Sequence, residues 1–400
     1  VIQISCIGYS SKEEAVNGRA RIDVSLDVEA ELLENVVVTA LGIKREEKAL
    51  GYAVQKVGGD DLTIAKSVDV VSSLTGKVAG LTVWNNTEFN SVPEITLRGY
   101  APLIIIDGVP YGNADLSKIA SDDIESIDVL KGATASALYG ARGGNGAIMV
   151  TTKKGVGHEG ISVEINSNTM FFAGYLAFPE VQHSYGSGWM GVYRTDYGVW
   201  GPKLDVGNTA NMWNPYTCEY EEQELTSKGK NNFKNFSQAS WMTNNNVNVA
   251  YSGKYGSFRT SLTHAFNRGQ LPNEDLNKMT FNVSGNIKYK KFFMDAGATV
   301  NHRHSTNDSN AGYYSGSYIY DMVIWLGTEY DVRDYKNYWI PGKEDAQQNW
   351  YDKSGWYDNP YFKAYEVITP RTQTSLNAYA NLGFEFTDWL KLTVRAGADA

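Results

Sequence analysis

The sequence predicts a transmembrane β-barrel preceded by a small mixed α/β domain. Three observations predict it. From Gly160 onward, apolar and polar residues alternate with period two in segments of about ten residues or more, the length a tilted membrane-crossing strand needs. Tight junctions (Lys254-Tyr255-Gly256, Lys290-Lys291, Asp388) take turns with long polar, aromatic stretches, the short-turn and long-loop habit of outer-membrane barrels. Before them, between Leu97 and Gly155, strand and helix signals follow one another with glycine at each corner.

Composition bounds the remaining possibilities. The chain has 400 residues, a net charge of −9, 20% charged and 12% aromatic residues, which is not a disordered composition and suits more than one domain. Its acidic balance speaks against binding nucleic acid through phosphates, which calls for basic patches. Cys6 and Cys218 stand far apart and form no metal-spaced cluster. No run of 18 apolar residues offers a membrane helix. No cofactor, no resident metal and no catalytic constellation is expected.

Taken in order, Val1–Tyr9 and Ala20–Val28 read as strands, the second alternating Ile22, Val24, Leu26 and Val28 with polar residues. Val36–Gly42, Val-Val-Val-Thr-Ala-Leu-Gly, reads by pattern as one more strand. A β-branched run in a linker is also suited to add to a partner's exposed sheet edge. Tyr52–Val57 is strand-like. Ser67–Gly80 reads as a helix with Ser67 as cap, Asp69 in the first turn, Gly80 at the end, and Val70, Val71, Leu74 and Val78 on one face. Trp84 to Phe89 is a polar, aromatic loop. Leu103–Ile106 is apolar throughout, as in a strand buried on both faces, and Asp107-Gly108 breaks it. Strand Ile124–Leu130, helix Ala133–Tyr139 and strand Ala147–Thr152 follow. Gly140, Gly143, Gly144 and Gly146 lack either phosphate-loop spacing and are read as turn chemistry.

Seven long strands are expected after that: one from Ile161, then Asn246–Lys254, Ser257–Asn267, Lys278–Tyr289, Phe292–Arg303, Gln373–Thr387 and Trp389–Ala398. Two long loops interrupt them. Leu176–Trp241 carries Trp189, Tyr193, Trp200 and Trp213, and Tyr313–Tyr365 holds 16 aromatic residues in 53 positions. Such aromatics stack on sugar faces, build the loops' own cores, form interface girdles or meet a partner; the pattern leaves these open. His302 and His304 form an H-x-H pair that could take a metal; a polar wall of the barrel lumen is the favoured reading.

The stretches LTGKVAGLTV (74–83), LRG (97–99), PLIIIDGVP (102–110) and IESIDVLKGATASALYGARGGNGAIMVTTKKG (124–155) resemble the plug domain of TonB-dependent outer-membrane transporters, within them the SusC-like family of Bacteroidetes. One departure is that only Tyr100 and Ala101 lie between the LRG turn and the PLI strand, where the family usually carries a longer loop. The resemblance implies a barrel of about 22 strands in the full protein with the α/β plug inside its lumen. The expected domains are 1–35 as the end of a carboxypeptidase-regulatory-like β-sandwich, 36–42 as Ton box, 43–155 as plug and 156–400 as the first part of the barrel with its extracellular loops. Val36, Val37, Val38, Thr39, Ala40, Leu41 and Gly42 are then the TonB-binding peptide. Trp84, Asn85, Asn86, Phe89, Trp189 and Tyr193 are the expected substrate contacts.

The implied function is active import of oligosaccharides, the products of glycan breakdown, through the cell outer membrane without breaking a bond. The implied partners are a SusD-like surface lipoprotein as lid, TonB of the TonB–ExbB–ExbD complex, outer-membrane lipid, and a second copy of the SusC–SusD pair. Oligopeptides, or a siderophore- or cobalamin-type cargo, are the alternatives within this class. A surface β-rich adhesin or carbohydrate-binding module is the alternative outside it, and the plug motifs argue against it.

Overall fold

The computed structural model describes residues 2–6, 9–14, 24, 36–38, 44–46, 54–63, 66–84, 91–111, 115–155, 159–172, 180–196, 198–307, 317–352 and 356–400. Two short antiparallel hairpins come first. One pairs β1 (Ile2–Cys6) with β2 (Tyr9–Glu14), and the other pairs β3 (Val36–Val38) with β4 (Lys44–Glu46). The run expected as one strand over Val1–Tyr9 therefore turns back on itself after Cys6. Of the expected strand Ala20–Val28, all but Val24 lies outside the described residues, as do Thr39–Gly42.

The α/β domain is built on β5 (Val54–Gly58), β8 (Leu103–Ile106), β9 (Val109–Pro110), β10 (Ile124–Leu130) and β11 (Ala147–Thr152), in the order β5-β10-β11-β8-β9. Only β11 and β8 run parallel. Both faces of this sheet are covered, which is why β8 and the first four residues of β11, Ala147 to Val150, are apolar without interruption. Ile148 and Val150 point into a core with Leu62, Val70, Val71 and Leu74, contributed by α1 (Gly59–Thr63), α2 (Val70–Ser73) and the turn after it. Ala147 and Met149 point the other way, toward Ala135 and Leu138 of α3 (Gly132–Tyr139). Ile124–Leu130, expected to alternate, is buried everywhere except Glu125.

The helix expected over Ser67–Gly80 is only the four residues of α2, followed by turns. Asp69, not Ser67, is the N-cap: its Oδ1 accepts from the N–H groups of Val71 (3.0 Å) and Ser72 (3.3 Å). β6 (Leu81–Trp84) and β7 (Glu94–Leu97) form a separate hairpin. After it, Arg98 and Gly99 both take positive φ in a tight turn that Leu97 and Tyr100 close by reciprocal backbone bonds, so the chain needs few residues to reach β8. Gly146 is fixed twice over: its φ is +96° and a Cβ there would lie 2.4 Å from Leu97 Cδ2.

The third unit is one antiparallel sheet of seven strands in sequence order. They are β12 (Gly160–Phe172) and, after the short loop strands β13 (Gly188–Trp189), β14 (Val192–Tyr193), β15 (Thr209–Asn214) and β16 (Glu219–Glu224), β17 (Ser240–Gly253), β18 (Gly256–Arg268), β19 (Asp275–Tyr289), β20 (Phe292–Ser305), β21 (Arg371–Glu385) and β22 (Lys391–Asp399). All seven match expected strands, and β17 starts six residues earlier than expected. β12 and β22 are the edges of this sheet and do not pair with each other.

Its two faces follow opposite rules. Toward the α/β domain, β17 to β21 bury Asn244, Asn246, Asn248, Arg259, Ser261, Thr263, Lys278, Thr280, Asn282, Asn301 and Asn381. The other face exposes Ile161, Val163, Val247, Val249, Leu262, Phe281, Val300, Leu376, Leu382 and Val394. Polar inside and apolar outside is the reverse of a water-soluble sandwich and the rule of a membrane barrel. Aromatic rows border the apolar band: Tyr251, Phe258, Tyr289, Phe292 and Phe384 toward the short turns, Phe171, Trp241 and Phe266 toward the long loops. The register places His302 and His304 opposite Thr374 and Thr372, on the same face as Val300. That corrects the expectation of a lumen wall: the pair stands on the outer face near the loop end, each Nδ1 hydrogen-bonded to its threonine (2.9 and 2.8 Å).

Candidate functional site

The α/β domain meets the sheet through polar groups. Asp122 and Asp123, in the 3-10 turn just before β10, reach the inner face of β18 and β12. Arg259 Nη1 donates to Asp123 Oδ1 at 2.8 Å and Nη2 to the Asp122 carbonyl at 3.3 Å, and the Ser261 hydroxyl donates to the same Asp123 oxygen. The Arg259 and Asp123 side chains are 2% and 0% exposed. Burial pushes the Asp123 carboxyl above the usual range, and the Arg259 charge opposes that rise without cancelling it. Lys66 Nζ donates to Asp122 Oδ1 at 2.6 Å, and Asn166 of β12 to the same oxygen at 3.3 Å. Among the described residues, the Oδ2 atoms of Asp122 and Asp123 are buried with no hydrogen-bond partner.

Lys278 of β19 crosses the seam next, its Nζ donating to the carbonyls of Val68 (3.1 Å) and Ser117. A third cluster surrounds the β8–β9 turn. Asp107 accepts from the Thr152 N–H (3.1 Å) and hydroxyl (2.8 Å), and burial raises its carboxyl while the Lys154 charge acts against it. Lys154 Nζ lies 2.6 Å from Asp295 of β20 and 3.7 Å from Asp107. Arg395 of β22 donates to the Gly108 carbonyl at 2.8 Å. Gly108 is required there, since its φ is +79° and a Cβ would meet that guanidinium at 2.7 Å. The Tyr111 hydroxyl, pushed up to about 12 by burial, donates to the Ala378 carbonyl at 2.9 Å.

At the long-loop end of the sheet, the two long connections fold together into one lobe. Its core holds Trp213, Phe233, Phe236, Tyr330, Tyr335, Trp350, Tyr351, Tyr357 and Tyr361. Asn232 ties the loops, donating to the Tyr330 carbonyl and accepting from the Val332 N–H, both at 2.9 Å. Trp213 Nε1 donates to Asn349 Oδ1 at 2.8 Å. These nine aromatics of the loops therefore form the lobe's own core.

The expected substrate contacts fall in different places. Trp84, 62% exposed, ends β6; Asn85, Asn86 and Phe89 lie outside the described residues. Trp189, 50% exposed, and Tyr193 share the hairpin of β13 (Gly188–Trp189) and β14 (Val192–Tyr193). Tyr193 packs against the lobe core and its hydroxyl meets that of Tyr330. Of the expected TonB-binding peptide, Val36–Val38 is strand β3. The seam residues Asp123, Arg259, Lys154 and Asp295 carried no signal in the sequence, since a charge pair 136 positions apart leaves no local pattern.

Residues 46–147 match the family described as the TonB-dependent Receptor Plug Domain. SusC of Bacteroides thetaiotaomicron is 28% identical over 327 residues, 75% of this chain and 30% of SusC. The TonB-dependent receptor P26 of Formosa agariphila is 36% identical over 180 residues, 42% of this chain and 18% of P26. Among solved structures, the RagAB peptide importer in its open-open state aligns with a TM-score of 0.66 at 18% identity, covering 91% of this chain and 42% of that one. FpvA of P. aeruginosa, solved bound to heterologous pyoverdines, aligns at 0.51 and 11% identity, covering 91% of this chain and 36% of FpvA. The chain thus spans less than a third of these curated relatives. It combines a TonB-dependent receptor plug with barrel-type strands. In both parts it is similar to SusC-like TonB-dependent receptors.

Proposed function

We propose that this protein imports oligosaccharides across the outer membrane, driven by TonB through Val36–Gly42 and served by a SusD-like surface lipoprotein as lid. The observation that carries this reading is the polar seam. A plug that must leave its lumen cannot be glued to the wall by apolar area, because wetting such a surface costs about 25 cal/mol per Å². Hydrogen bonds and ion pairs exchange with water at small net cost. The orphaned carboxylate oxygens of Asp122 and Asp123 would gain partners as water enters. The apolar outer face of the seven strands supports lipid contact, and thus an outer-membrane location. Residues 1–35 are proposed as the end of a regulatory-like β-sandwich, 43–155 as plug and 156–400 as barrel and loops. Trp84, Asn85, Asn86, Phe89, Trp189 and Tyr193 are proposed to face the cargo. Oligopeptides are the second cargo class, since the RagAB structures that share this fold are of a peptide importer.

Deleting Val36–Gly42 from the full-length protein tests the coupling. Uptake is expected to vanish while outer-membrane assembly and cargo binding persist; uptake at the unmodified rate would overturn the assignment. Growth of a gene-deletion strain on single oligosaccharides against single oligopeptides decides the cargo.

A further inference from the structure

The outer face of the seven strands is not uniformly bulky. Cross-strand pairing sets its side chains in rows. Leu262, Phe281, Val300 and Leu376 form one exposed ridge, and Ile287, Met294, Leu382 and Val394 form another nearer the short turns. Between them run the smaller rows Val283–Ala298–Ala378 and Gly285–Ala296–Ala380. The missing bulk leaves a trough of about 470 Å³, walled by Phe258, Val283, Ile287 and Met294 over a floor of Gly285, Ala296 and Ala298. That volume is within the range of small-molecule sites. Ser257, Ser284, Asn286, Gly297 and Tyr379 also line it. Their alternate positions and hydrogen bonds turn the four side chains among them to the inner face, so they meet the trough with backbone.

A cationic rim lies beside the trough. The three short turns from β17 to β22, with the strand ends beside them, carry Lys254, Lys288, Lys290, Lys291 and Lys391 against Glu385 and Asp388. Glu385 is shared by Lys288 at 3.2 Å and Lys391 at 3.9 Å, and Lys291 donates to the Phe386 carbonyl at 2.8 Å. Lys254 and Lys290 are exposed and face aromatic rings instead. Lys254 Nζ stands 5.5 Å from the Tyr255 ring and Lys290 Nζ 5.4 Å from the Tyr289 ring, and these two rings meet edge to face at 5.5 Å. Aromatic rings in such a belt sit at headgroup depth. From Lys290 back to Gly285 the chain runs five residues, roughly 17 Å along a strand. Half of a hydrocarbon core is about 15 Å. A lipid whose headgroup rests on these lysines therefore brings its chains to the trough.

We propose that the trough seats the acyl chains of one anionic glycerophospholipid, with its phosphate held by Lys254 and Lys290. The inference goes beyond the import reading and rests only on the outer-membrane location proposed with it. The test uses the purified full-length protein in detergent, given equal amounts of palmitoyl-oleoyl phosphatidylglycerol and phosphatidylethanolamine and read by native mass spectrometry. One phosphatidylglycerol is expected to be retained in preference to phosphatidylethanolamine by about fivefold or more, since each surface lysine is worth about 1 kcal/mol toward an anionic lipid. Ala296→Phe fills the trough and is expected to abolish that retention; Ala298→Leu, a smaller filling, serves where the first variant fails to fold. The double variant Lys254→Gln, Lys290→Gln is expected to keep a lipid and lose the headgroup preference. Heat-modifiable mobility on a gel identifies the folded variants. Retention of no phosphatidylglycerol, undiminished retention by a folded trough variant, or an unchanged preference in the double variant would each overturn the proposal. So would a dimer that dissociates in Ala296→Phe, which would give the trough to a second copy of the chain. The location reading fails separately, if the cellular protein is recovered in the soluble fraction without detergent; recovery in the membrane with no retained lipid sinks the lipid site alone.

Discussion

Replacing Arg259 with methionine removes the most deeply buried tie between plug and wall and keeps much of the side-chain volume. The guanidinium makes two bonds across the seam, to Asp123 Oδ1 at 2.8 Å and to the Asp122 carbonyl at 3.3 Å. Without it, Asp123 is left buried with one hydroxyl partner, Ser261. Removing one member of a buried pair costs about 3–5 kcal/mol, most of it from the stranded charge. The carboxyl escapes part of that cost by taking up a proton. Its ionisation is already raised by burial, with Arg259 the main opposing charge, so in Arg259→Met it rises further. A raised folded-state value means that the plug binds the proton more tightly than the unfolded chain does. Stability is then greatest below the ordinary carboxylate range and falls as pH climbs through the raised value. The full-length variant is expected to unfold at lower denaturant concentration at neutral pH, to recover toward pH 4, and to leak bulky antibiotics into cells. The double variant Asp123→Asn, Arg259→Met removes the stranded charge and is expected to regain most of the loss. A single variant within about 0.5 kcal/mol of the parent at neutral pH, with no leak, would refute the claim that this pair holds the plug.

Two further predictions follow from the same coordinates. Asp321, buried beside Lys363, has its carboxyl pushed up to about 6 by burial in spite of that partner, so the lobe loses stability as pH rises from about 4 through about 6; Asp321→Asn should flatten that part of a melting-temperature profile, and an unchanged profile would show that the ion pair outweighs desolvation. Phe281→Arg, at mid-height of the apolar face, is expected to cost about 2–4 kcal/mol in a folding assay in lipid, and His302→Arg near the loop end about 0–1; equal costs would argue that this face does not meet hydrocarbon.

The strands were legible where one face is apolar and the other polar. Ile161, Val163 and Ile165 announce β12, and Val247, Val249 and Tyr251 announce β17. The pattern fades where β17 continues above the apolar band, through Thr243 and Asn245 opposite Asn244 and Asn246, because polar residues then occupy both faces. This is why its first six residues were not seen in the sequence. The helix expected over Ser67–Gly80 failed for another reason. Val70, Val71, Leu74 and Val78 do enter one core, but turns with Gly76 at φ +74° bring them there as well as a helix would. In the lobe, aromatic richness marked the right segments, yet it could not separate core rings such as Tyr335 and Tyr351 from half-buried rings such as Trp339, since that division is set by contacts between loops more than a hundred residues apart.

The seam and the plug topology together bear on how a pull would act. The clusters that tie plug to wall sit on Asp122 and Asp123, on the β8–β9 turn and on Lys154, all after residue 100, with Lys66 and Val68 beside them. In the import reading, force enters at Val36–Gly42 and meets the sheet first at β5. That strand is an edge, paired on one side only, to β10 and over five residue pairs. Edge pairing loaded from one end yields bond by bond, whereas the buried seam clusters load their contacts together. A pull therefore favours peeling β5, and α1 with it, before Arg259 releases Asp123. The core side chains of β5 and α1, Val57 and Leu62, would then enter water, and refilling that part of the core would restore the plug once the pull ends.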